Sequence, residues 1–301
     1  MKNIIEFFYN IKIDTINKKN DYYILNINNK SFIFKPYNNN LNIESTHRLN
    51  NMLKEIMPIN NIIPNKYNST ITKVDNNYYI LIEDKIKSKI SLPTISNISN
   101  TKIQNINYIK NLERNNWEIL WGNKIDYYEL QIKENKKKYP LIRESFDYFI
   151  GMSENAITYL VNTKLEEIKT IYDEKVPSHI SIHNSLFDPT NIILDHKARD
   201  LGEYIKYSFW NNNNNIFKEL NIYFKYNYYS PYGIRVLYSR ILYPSFYFDL
   251  YDQIITNNKN EKEINKIIYR INEYEQFLHD IYLYLNNFYN IPEINYKKTR
   301  N

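Results

Sequence analysis

The apolar residues follow strand and helical periods in turn over residues 22–84 and mainly a helical period from about residue 105 onward, and this change limits the fold more than any other feature of the sequence. Residues 22–37 and 69–84 alternate between apolar and polar side chains and are rich in β-forming residues. A short Asn-containing segment interrupts each stretch, which predicts two β-hairpins. Residues 42–57, between the hairpins, have helical spacing and predict one helix that ends before Pro58.

Helical spacing dominates the C-terminal two thirds of the chain. Residues 117–132 place their apolar side chains on one helical face, and residues 144–161 predict a helical pair around Gly151. The clearest pattern covers residues 260–285, where a start resembling a capping box at Asn260 precedes a regular apolar stripe. This part of the chain is therefore predicted to be mainly helical.

The order of these elements predicts an α+β protein with two lobes. Residues 85–100 show no clear period and are typical of a linker. We predict a small strand-rich N-terminal lobe over residues 1–84, a linker over residues 85–104 and a helical C-terminal lobe over residues 105–301. A small mixed lobe followed by a large helical lobe is the layout of a bilobal protein-kinase-like fold, although other α+β folds share that order.

Composition and charge exclude several classes of protein. The sequence contains no Cys, so it has neither disulfides nor a thiolate metal site, and its N-terminus does not predict a secretory signal. No apolar run reaches the roughly 20 residues that span a bilayer. The net charge of +6 comes from scattered lysines, apart from the basic segments 133–139 and 296–300. We therefore predict a protein kept inside a cell, with no membrane insertion and no nucleic-acid partner.

The 31 tyrosines are the other unusual feature of the composition. Asn, Ile, Lys and Tyr are all abundant and share A/T-rich codons, so a base-composition bias explains most of this enrichment. The alternative is oxidative cross-linking of adjacent tyrosines, which occur at residues 22–23, 78–79, 127–128 and 228–229. We favour the compositional explanation.

Two residues of the small lobe are candidates for holding a nucleotide. Lys35 ends the third strand-like segment, and Glu44 opens the helix that follows. In protein-kinase-like folds a lysine on the third strand holds the nucleotide phosphates and a glutamate on the next helix pairs with it. An ordinary strand lysine and a first-turn glutamate favoured by the helix dipole explain the same residues. We predict that Lys35 and Glu44 bind a cofactor only if nucleotide binds at all.

Three long segments carry a resemblance to a known family. Residues 141–167, 195–206 and 230–253 are similar to the YutH-type proteins of the bacterial spore coat. These belong to a wider CotS-like group whose fold is that of aminoglycoside phosphotransferases and small-molecule kinases. The resemblance implies this fold, a role in sporulation, and other spore coat proteins as partners. It also implies synthesis in the mother-cell cytoplasm and assembly onto the coat.

The segment expected to carry the chemistry departs from the active members of that fold. Their catalytic loop reads His-Gly-Asp, and an Asn that helps to hold magnesium follows the Asp. This chain reads His183, Asn184, Ser185 and then Asn191. A serine hydroxyl is far too weak a base to replace the Asp. Asp188 is the alternative acid, but an Asp before Pro-Thr-Asn is more typical of a turn.

The spacing between Asn191 and the candidate metal-binding acid, Asp195, is also shorter than in active relatives. Asp195 follows Asn191 after four residues, so the hairpin that separates the two sites in active relatives is missing. We predict an N-cap or loop role for Asp195, with a metal ligand as the alternative. Asp200 matches, by the resemblance, the helix-start Asp that ties down the catalytic loop. His179, His183 and His196 could form a zinc site, but the spacing does not favour one.

These observations predict a kinase-like fold that does not transfer phosphate. We expect a structural or adaptor component of the spore coat, with no cofactor and no metal site. The alternative is an active ATP-dependent phosphotransferase acting on a small molecule or a coat protein. It would use ATP and Mg²⁺, with Asp188, Asp195 and Asn191 as catalytic candidates and Lys35 and Glu44 at the nucleotide.

Overall fold

The chain folds into two compact units, each with its own core. The computed structural model describes residues 1–19, 21–37, 43–86, 90–101, 103, 106–135, 138–256 and 258–294. The first unit comprises residues 1–114 and 175–195, and the second comprises residues 115–174 and 196–301. The α+β class predicted from the sequence is confirmed, because the first unit contains an extended sheet and the second is mainly helical.

The first unit is built on an antiparallel sheet with the strand order β1-β2-β3-β6-β4, in which β5 also pairs with β6. Its strands are β1 (Thr15–Lys19), β2 (Tyr22–Ile27), β3 (Lys30–Pro36), β4 (Ile62–Ile63), β5 (Thr72–Val74) and β6 (Asn77–Glu83). Its helices are α1 (Lys2–Tyr9), α2 (Ile43–Lys54), α3 (Leu92–Ser99) and two 3-10 helices at Ile106–Leu112 and Pro189–Asn191. A separate two-stranded sheet contains β7 (Lys175–His179) and β8 (Ile192–His196).

Both predicted hairpins are confirmed, and their turns explain why Asn and Asp occur there. The β2–β3 turn places Asn28 and Asn29 at φ 48° and 61°, and the β5–β6 turn places Asp75 at φ 53°. Asn and Asp tolerate this left-handed region better than most residues. The alternation in the strands then buries one face, including Leu25 and Phe34, which are fully buried against α1.

The segment of residues 175–195 belongs to the first unit because apolar side chains fasten it there. Ile192 and Leu194 of β8 lie in one buried cluster with Leu49 and Leu53 of α2. The backbone N–H of Asn60 also donates to the carbonyl of Phe187, at 3.0 Å. The loop between β7 and β8 is thereby held beside the sheet of the same unit.

The second unit is a bundle of helices around a central one. They are α4 (Trp117–Asn135), α5 (Pro140–Glu166), α6 (Ala198–Trp210), α7 (Ile216–Tyr226), α8 (Pro231–Leu242), α9 (Ser245–Ile255), α10 (Asn265–Ile268) and α11 (Ile271–Asn286). Short 3-10 helices lie at Ile171–Asp173 and Glu261–Ile264. Every residue of α8 after Pro231 is buried, so α8 forms the core against which α5 and α6 pack.

The predicted pair of helices around Gly151 is wrong, because α5 runs through Gly151 without a break. A glycine inside a helix costs only about 1 kcal/mol relative to alanine. Buried neighbours such as Phe149 and Met152 anchor both halves of the helix, and this packing outweighs that cost.

The predicted single helix over residues 260–285 is interrupted at Tyr269 and Arg270. Arg270 leaves helical geometry, and its guanidinium donates to the carbonyls of Phe209 and Trp210 at the end of α6. The interruption therefore has a tertiary cause. Asn260 is the N-cap, but its side chain accepts from the N–H of Lys262 at 2.9 Å and not from that of Glu263, so the start differs from the predicted capping box.

The predicted linker contains regular structure, because α3 begins with Ser91 as its N-cap. The lobe boundaries themselves stay predictions. Several residues of the segments named above lie outside the described residues: 87–89, 102 and 104 of the linker, and 136, 137 and 296–300 of the two basic segments. In the part of the chain that the structure describes, no helix is both long and apolar enough to cross a bilayer.

Candidate functional site

Lys35 is held by the loop between β7 and β8. Strand alternation buries Phe34 in the sheet and leaves Lys35 half-buried on the other face. Its Nζ forms an ion pair with the carboxylate of Asp188 and donates to Thr190 Oγ1 at 2.6 Å. The side chains of Lys35 and Asp188 are 24% and 16% exposed, so this pair is largely shielded from water. The lysine that would face nucleotide phosphates is therefore paired with a carboxylate of its own chain.

Asp188 also caps the 3-10 helix at Pro189–Asn191. Its Oδ1 accepts from the backbone N–H of Thr190 at 2.9 Å and from the Thr190 hydroxyl at 2.7 Å, while Oδ2 receives Lys35. A short helix has unpaired N–H groups at its start, and an Asp before Pro is well suited to accept from them. The turn role favoured from the sequence is what the local structure shows. Both carboxylate oxygens are engaged.

Asn191 closes the loop with both ends of its side-chain amide. Nδ2 donates to the carbonyls of Ser181 and Ser185, at 2.9 and 3.2 Å, and Oδ1 accepts from the N–H of Ser181 at 3.1 Å. The residue is only 4% exposed. Binding a cation through Oδ1 would require breaking its bond to Ser181. The amide of Asn191 therefore stabilises the closed conformation of the loop.

Ser185 is exposed and occupies the turn that Asn191 closes. Its carbonyl also accepts from the N–H of Asp188 at 3.2 Å. His179 supports the same loop, because its buried Nε2 donates to the carbonyl of Leu186 at 3.0 Å. The loop thus keeps a defined shape through hydrogen bonds to its backbone, and residue 185 presents a hydroxyl and not a carboxylate.

Asp195 lies inside β8 and not at the predicted N-cap or loop position. It is 1% exposed, and Lys175 Nζ lies 3.5 Å from its Oδ1 while also donating to the carbonyl of Arg114. A buried carboxylate needs such a cation to offset its desolvation. The N–H of Ala198 at the start of α6 is instead capped by His196, whose Nδ1 accepts from it at 3.1 Å.

The remaining predicted site residues, Glu44 and Asp200, each lie in the first turn of a helix. Glu44 is exposed in the first turn of α2 and lines a groove of about 780 Å³ with His47, Arg48 and Tyr67. The structure brings Asp188, 153 residues away in sequence, to Lys35 where the pattern suggested Glu44. Asp200 is buried in the first turn of α6.

These residues do not fit a magnesium ion as they are arranged. Mg²⁺ takes oxygen ligands and is held in kinase sites by carboxylates and an amide. Here the amide oxygen of Asn191 and the carboxylates of Asp188 and Asp195 are engaged within the protein. Over the described ranges, no group of three or more His, Cys, Asp or Glu is arranged to hold a metal. That no metal or nucleotide binds stays a prediction.

One polar cluster of the second unit was missed by the sequence reasoning. Asp173 accepts from Ser230 Oγ at 2.7 and 2.8 Å, from Thr170 and from His196 Nε2 at 3.3 Å. Burial alone would raise the pKa of Asp173, but the hydrogen bonds from His196, Thr170 and Ser230 outweigh it and lower the pKa to about 2. The local signals were the capping box from Thr170 to Asp173 and Ser230 before Pro231.

Solved structures of phosphotransferases share this fold. The aminoglycoside phosphotransferase from Alicyclobacillus acidocaldarius matches with a TM-score of 0.65 at 8% identity, over 96% of this chain and 97% of that chain. Spectinomycin phosphotransferase APH(9)-Ia, in complex with ADP and spectinomycin, matches with a TM-score of 0.60 at 14% identity, over 92% of each chain. The choline kinase LicA from Streptococcus pneumoniae gives a TM-score of 0.52 at 11% identity, over 93% and 97%. The predicted kinase-like fold is confirmed.

The sequence comparisons agree with the resemblance noted above. The chain is 30% identical over 192 residues to the "Endospore coat-associated protein YutH" of Bacillus subtilis (strain 168). That alignment covers 56% of this chain and 57% of the relative. The family model described as "Spore coat putative kinase YutH" matches residues 2–281. Because this match spans nearly the whole sequence, the chain belongs to the YutH family of spore coat proteins.

Proposed function

We propose that this protein is a non-catalytic component of the spore coat, with a structural or adaptor role in sporulating bacteria. The observation that carries the proposal is the pairing of Lys35 with Asp188 and Thr190. This pairing occupies Asp188, the acid nearest to Ser185 in the loop, which also accepts from the N–H and the hydroxyl of Thr190, so Asp188 is not placed to act as the missing base.

The remaining groups of the loop support the same proposal. Ser185 supplies no base, Asn191 is used to close the loop, and Asp195 is buried beside Lys175. Phosphoryl transfer depends on carboxylates and metal ions that are positioned around the transferred phosphate. Because Asn191 and Asp195 are bound to other groups of the protein, we infer that they stabilise the fold and do not position groups for phosphoryl transfer.

Coat association is supported by the family and by the name of the Bacillus subtilis relative. The partners that we propose are other spore coat proteins. The protein would be made in the mother-cell cytoplasm and assembled from there onto the coat of the developing spore.

The second candidate is an active ATP-dependent phosphotransferase. The fold shared with spectinomycin phosphotransferase is the observation that favours it. This function would require Asp188 to be released from Lys35 and Thr190, so that an acid could face the acceptor hydroxyl.

A replacement experiment in a sporulating host distinguishes the two. We expect Lys35→Met and Asp195→Asn proteins, produced from the native locus as fluorescent fusions, to reach the spore coat as the unmodified protein does. The physical reason is that neither substitution alters the exposed surface of the protein substantially, whereas each removes a group that phosphotransfer requires. The measurements are fusion fluorescence on purified spores and the profile of extracted coat proteins.

Exposed Lys30→Met in the same strand is the matched control. Immunoblots of the mother cell establish that each variant accumulates to the normal amount. A coat profile equal to that of a deletion strain in both variants, but normal in Lys30→Met, would contradict the non-catalytic proposal.

A further inference from the structure

Two exposed tyrosines that are far apart in sequence touch each other in the second unit. The ring centroids of Tyr172 and Tyr228 lie 4.4 Å apart, with an angle of 59° between the ring planes. The two residues are 48% and 56% exposed. We call these two residues the tyrosine pair. Both rings are in contact with each other and with solvent.

A buried polar cluster fixes the backbones that carry the tyrosine pair. Asp173 directly follows Tyr172, and Ser230 lies two residues after Tyr228. The hydroxyl of Ser230 donates to both carboxylate oxygens of Asp173, at 2.7 and 2.8 Å, and the Asp173 side chain is 0% exposed. Lys197 Nζ donates to the carbonyl of Tyr228. The ring contact is therefore imposed by buried hydrogen bonds immediately beside it.

This combination of contact and exposure separates the pair from the other tyrosines. Tyr226 and Tyr269 are 79% and 78% exposed, but neither has a ring neighbour among the described residues. Tyr223 and Tyr229 lie 6.3 Å apart, but both are buried. Across the described ranges, the tyrosine pair is the one ring contact in which both tyrosines are more than a third exposed.

We propose that the tyrosine pair is a site of oxidative phenol coupling, at which a peroxidase with hydrogen peroxide joins the two rings. Each phenol loses one electron and its hydroxyl proton and becomes a phenoxyl radical. The two radicals combine through ring carbons ortho to oxygen, and the ring hydrogens at these carbons move to the oxygens to restore both aromatic rings. In total the pair loses two electrons and two protons, and hydrogen peroxide takes them up to form two water molecules.

The geometry favours coupling within one molecule. Radicals formed on fixed rings in contact react with each other at a high effective concentration, whereas radicals on isolated rings must meet by diffusion. The adjacent tyrosines of the sequence, such as Tyr127 and Tyr128, do not have this arrangement, since Tyr128 is buried. The coupled product would close a covalent loop from residue 172 to residue 228, and it would restrict the unfolded chain as a disulfide does.

Peroxidase treatment of the purified full-length protein tests the proposal. The protein is oxidised with horseradish peroxidase and hydrogen peroxide at low protein concentration, and the monomer fraction is isolated by gel filtration. After protease digestion, mass spectrometry should find one cross-linked peptide that joins the Tyr172 and Tyr228 segments and is two hydrogen atoms lighter than the sum of its parts. The Tyr172→Phe and Tyr228→Phe variants should each lose this peptide completely.

Phenylalanine keeps the ring packing, and the thermal unfolding of each variant before oxidation establishes that it folds. Tyr226→Phe, which changes a more exposed tyrosine two residues before Tyr228, should leave the yield of the cross-linked peptide unchanged. The proposal is wrong if wild-type monomer lacks this peptide while tyrosines elsewhere are coupled. It is also wrong if the peptide occurs only in the covalent dimer fraction.

Discussion

Replacing Asp173 by alanine is expected to lower the free energy of unfolding by about 3–5 kcal/mol, because it leaves three buried donors without their charged acceptor, at about 1–3 kcal/mol each. The Asp173 side chain has no exposed surface and accepts hydrogen bonds from Ser230, Thr170 and His196. Without the carboxylate, these donors lose their acceptor in a buried place. Urea denaturation followed by circular dichroism measures the loss.

The pH dependence of the same group provides an independent check. The folded-state pKa of Asp173 is lowered to about 2 from an ordinary value of 3.8. A carboxyl with a lowered folded pKa contributes stability that is complete above its unfolded pKa and is lost as the pH falls through the folded pKa. We expect Asp173 to contribute about 2 kcal/mol above pH ~4, with loss of that contribution towards pH ~2.

Asp173→Asn is the matched variant, because it keeps the shape and one acceptor but removes the charge. It should be less destabilised than Asp173→Ala, and the difference in stability between it and the wild type should shrink as the pH falls below about 4. If the difference in unfolding free energy between the wild type and Asp173→Asn stays constant down to the lowest accessible pH, the ionised carboxylate is not selectively stabilised in the folded protein.

Replacing Glu203 by alanine is expected to cause a loss of similar size, about 3–5 kcal/mol. Glu203 Oε1 accepts from Lys206 Nζ at 2.9 Å and from Arg240 Nε at 2.8 Å, and Ser245 Oγ donates to Oε2 at 2.9 Å. The side chains of Lys206 and Arg240 are 2% and 8% exposed. The substitution therefore leaves two buried cations in the core of the second unit without their shared carboxylate.

Lys206 gives the Glu203→Ala variant a characteristic pH dependence. Burial already lowers the pKa of Lys206 to about 8, although the charge of Glu203 opposes this effect. Removing Glu203 lowers it further. Because the unfolded chain then binds more protons than the folded one, the variant should gain stability as the pH rises from neutral towards the ordinary lysine pKa. Exposed Glu154→Ala, on α5, should be close to neutral and behave as the wild type does, in which the gain begins only at about pH 8.

Local sequence patterns predicted those parts of the fold in which neighbouring residues determine the structure. The hairpin turns follow from Asn and Asp in the left-handed region, and α2 follows from its apolar spacing. The stripe that includes Ile264, Tyr274 and Leu278 is buried as predicted.

The errors arose where distant contacts decide the structure. Arg270 leaves the helix because it binds carbonyls of α6, about 60 residues away. Asp195 is a strand residue because Ile192 and Leu194 pack against α2. No local pattern contains such information.

In the candidate site, too, neighbouring residues predict some features and distant contacts determine others. The residues that follow Asp188 predicted its turn role, and the prediction that Ser185 cannot act as a base was made from the sequence alone. The contact between Lys35 and Asp188 joins residues 153 positions apart, and only the structure reveals it. The hydrogen bonds of Asn191 to Ser181 likewise depend on how the loop closes.

Isothermal titration of the purified protein with Mg-ATP tests the central claim most directly, namely that the polar groups of this loop are bound to one another and not available to a metal nucleotide. An active aminoglycoside phosphotransferase serves as the positive control. The account predicts no heat of binding up to millimolar nucleotide, for the wild type and for Lys35→Ala alike. Micromolar binding by the wild type that is lost in Lys35→Ala, but kept in exposed Lys30→Ala, would contradict it.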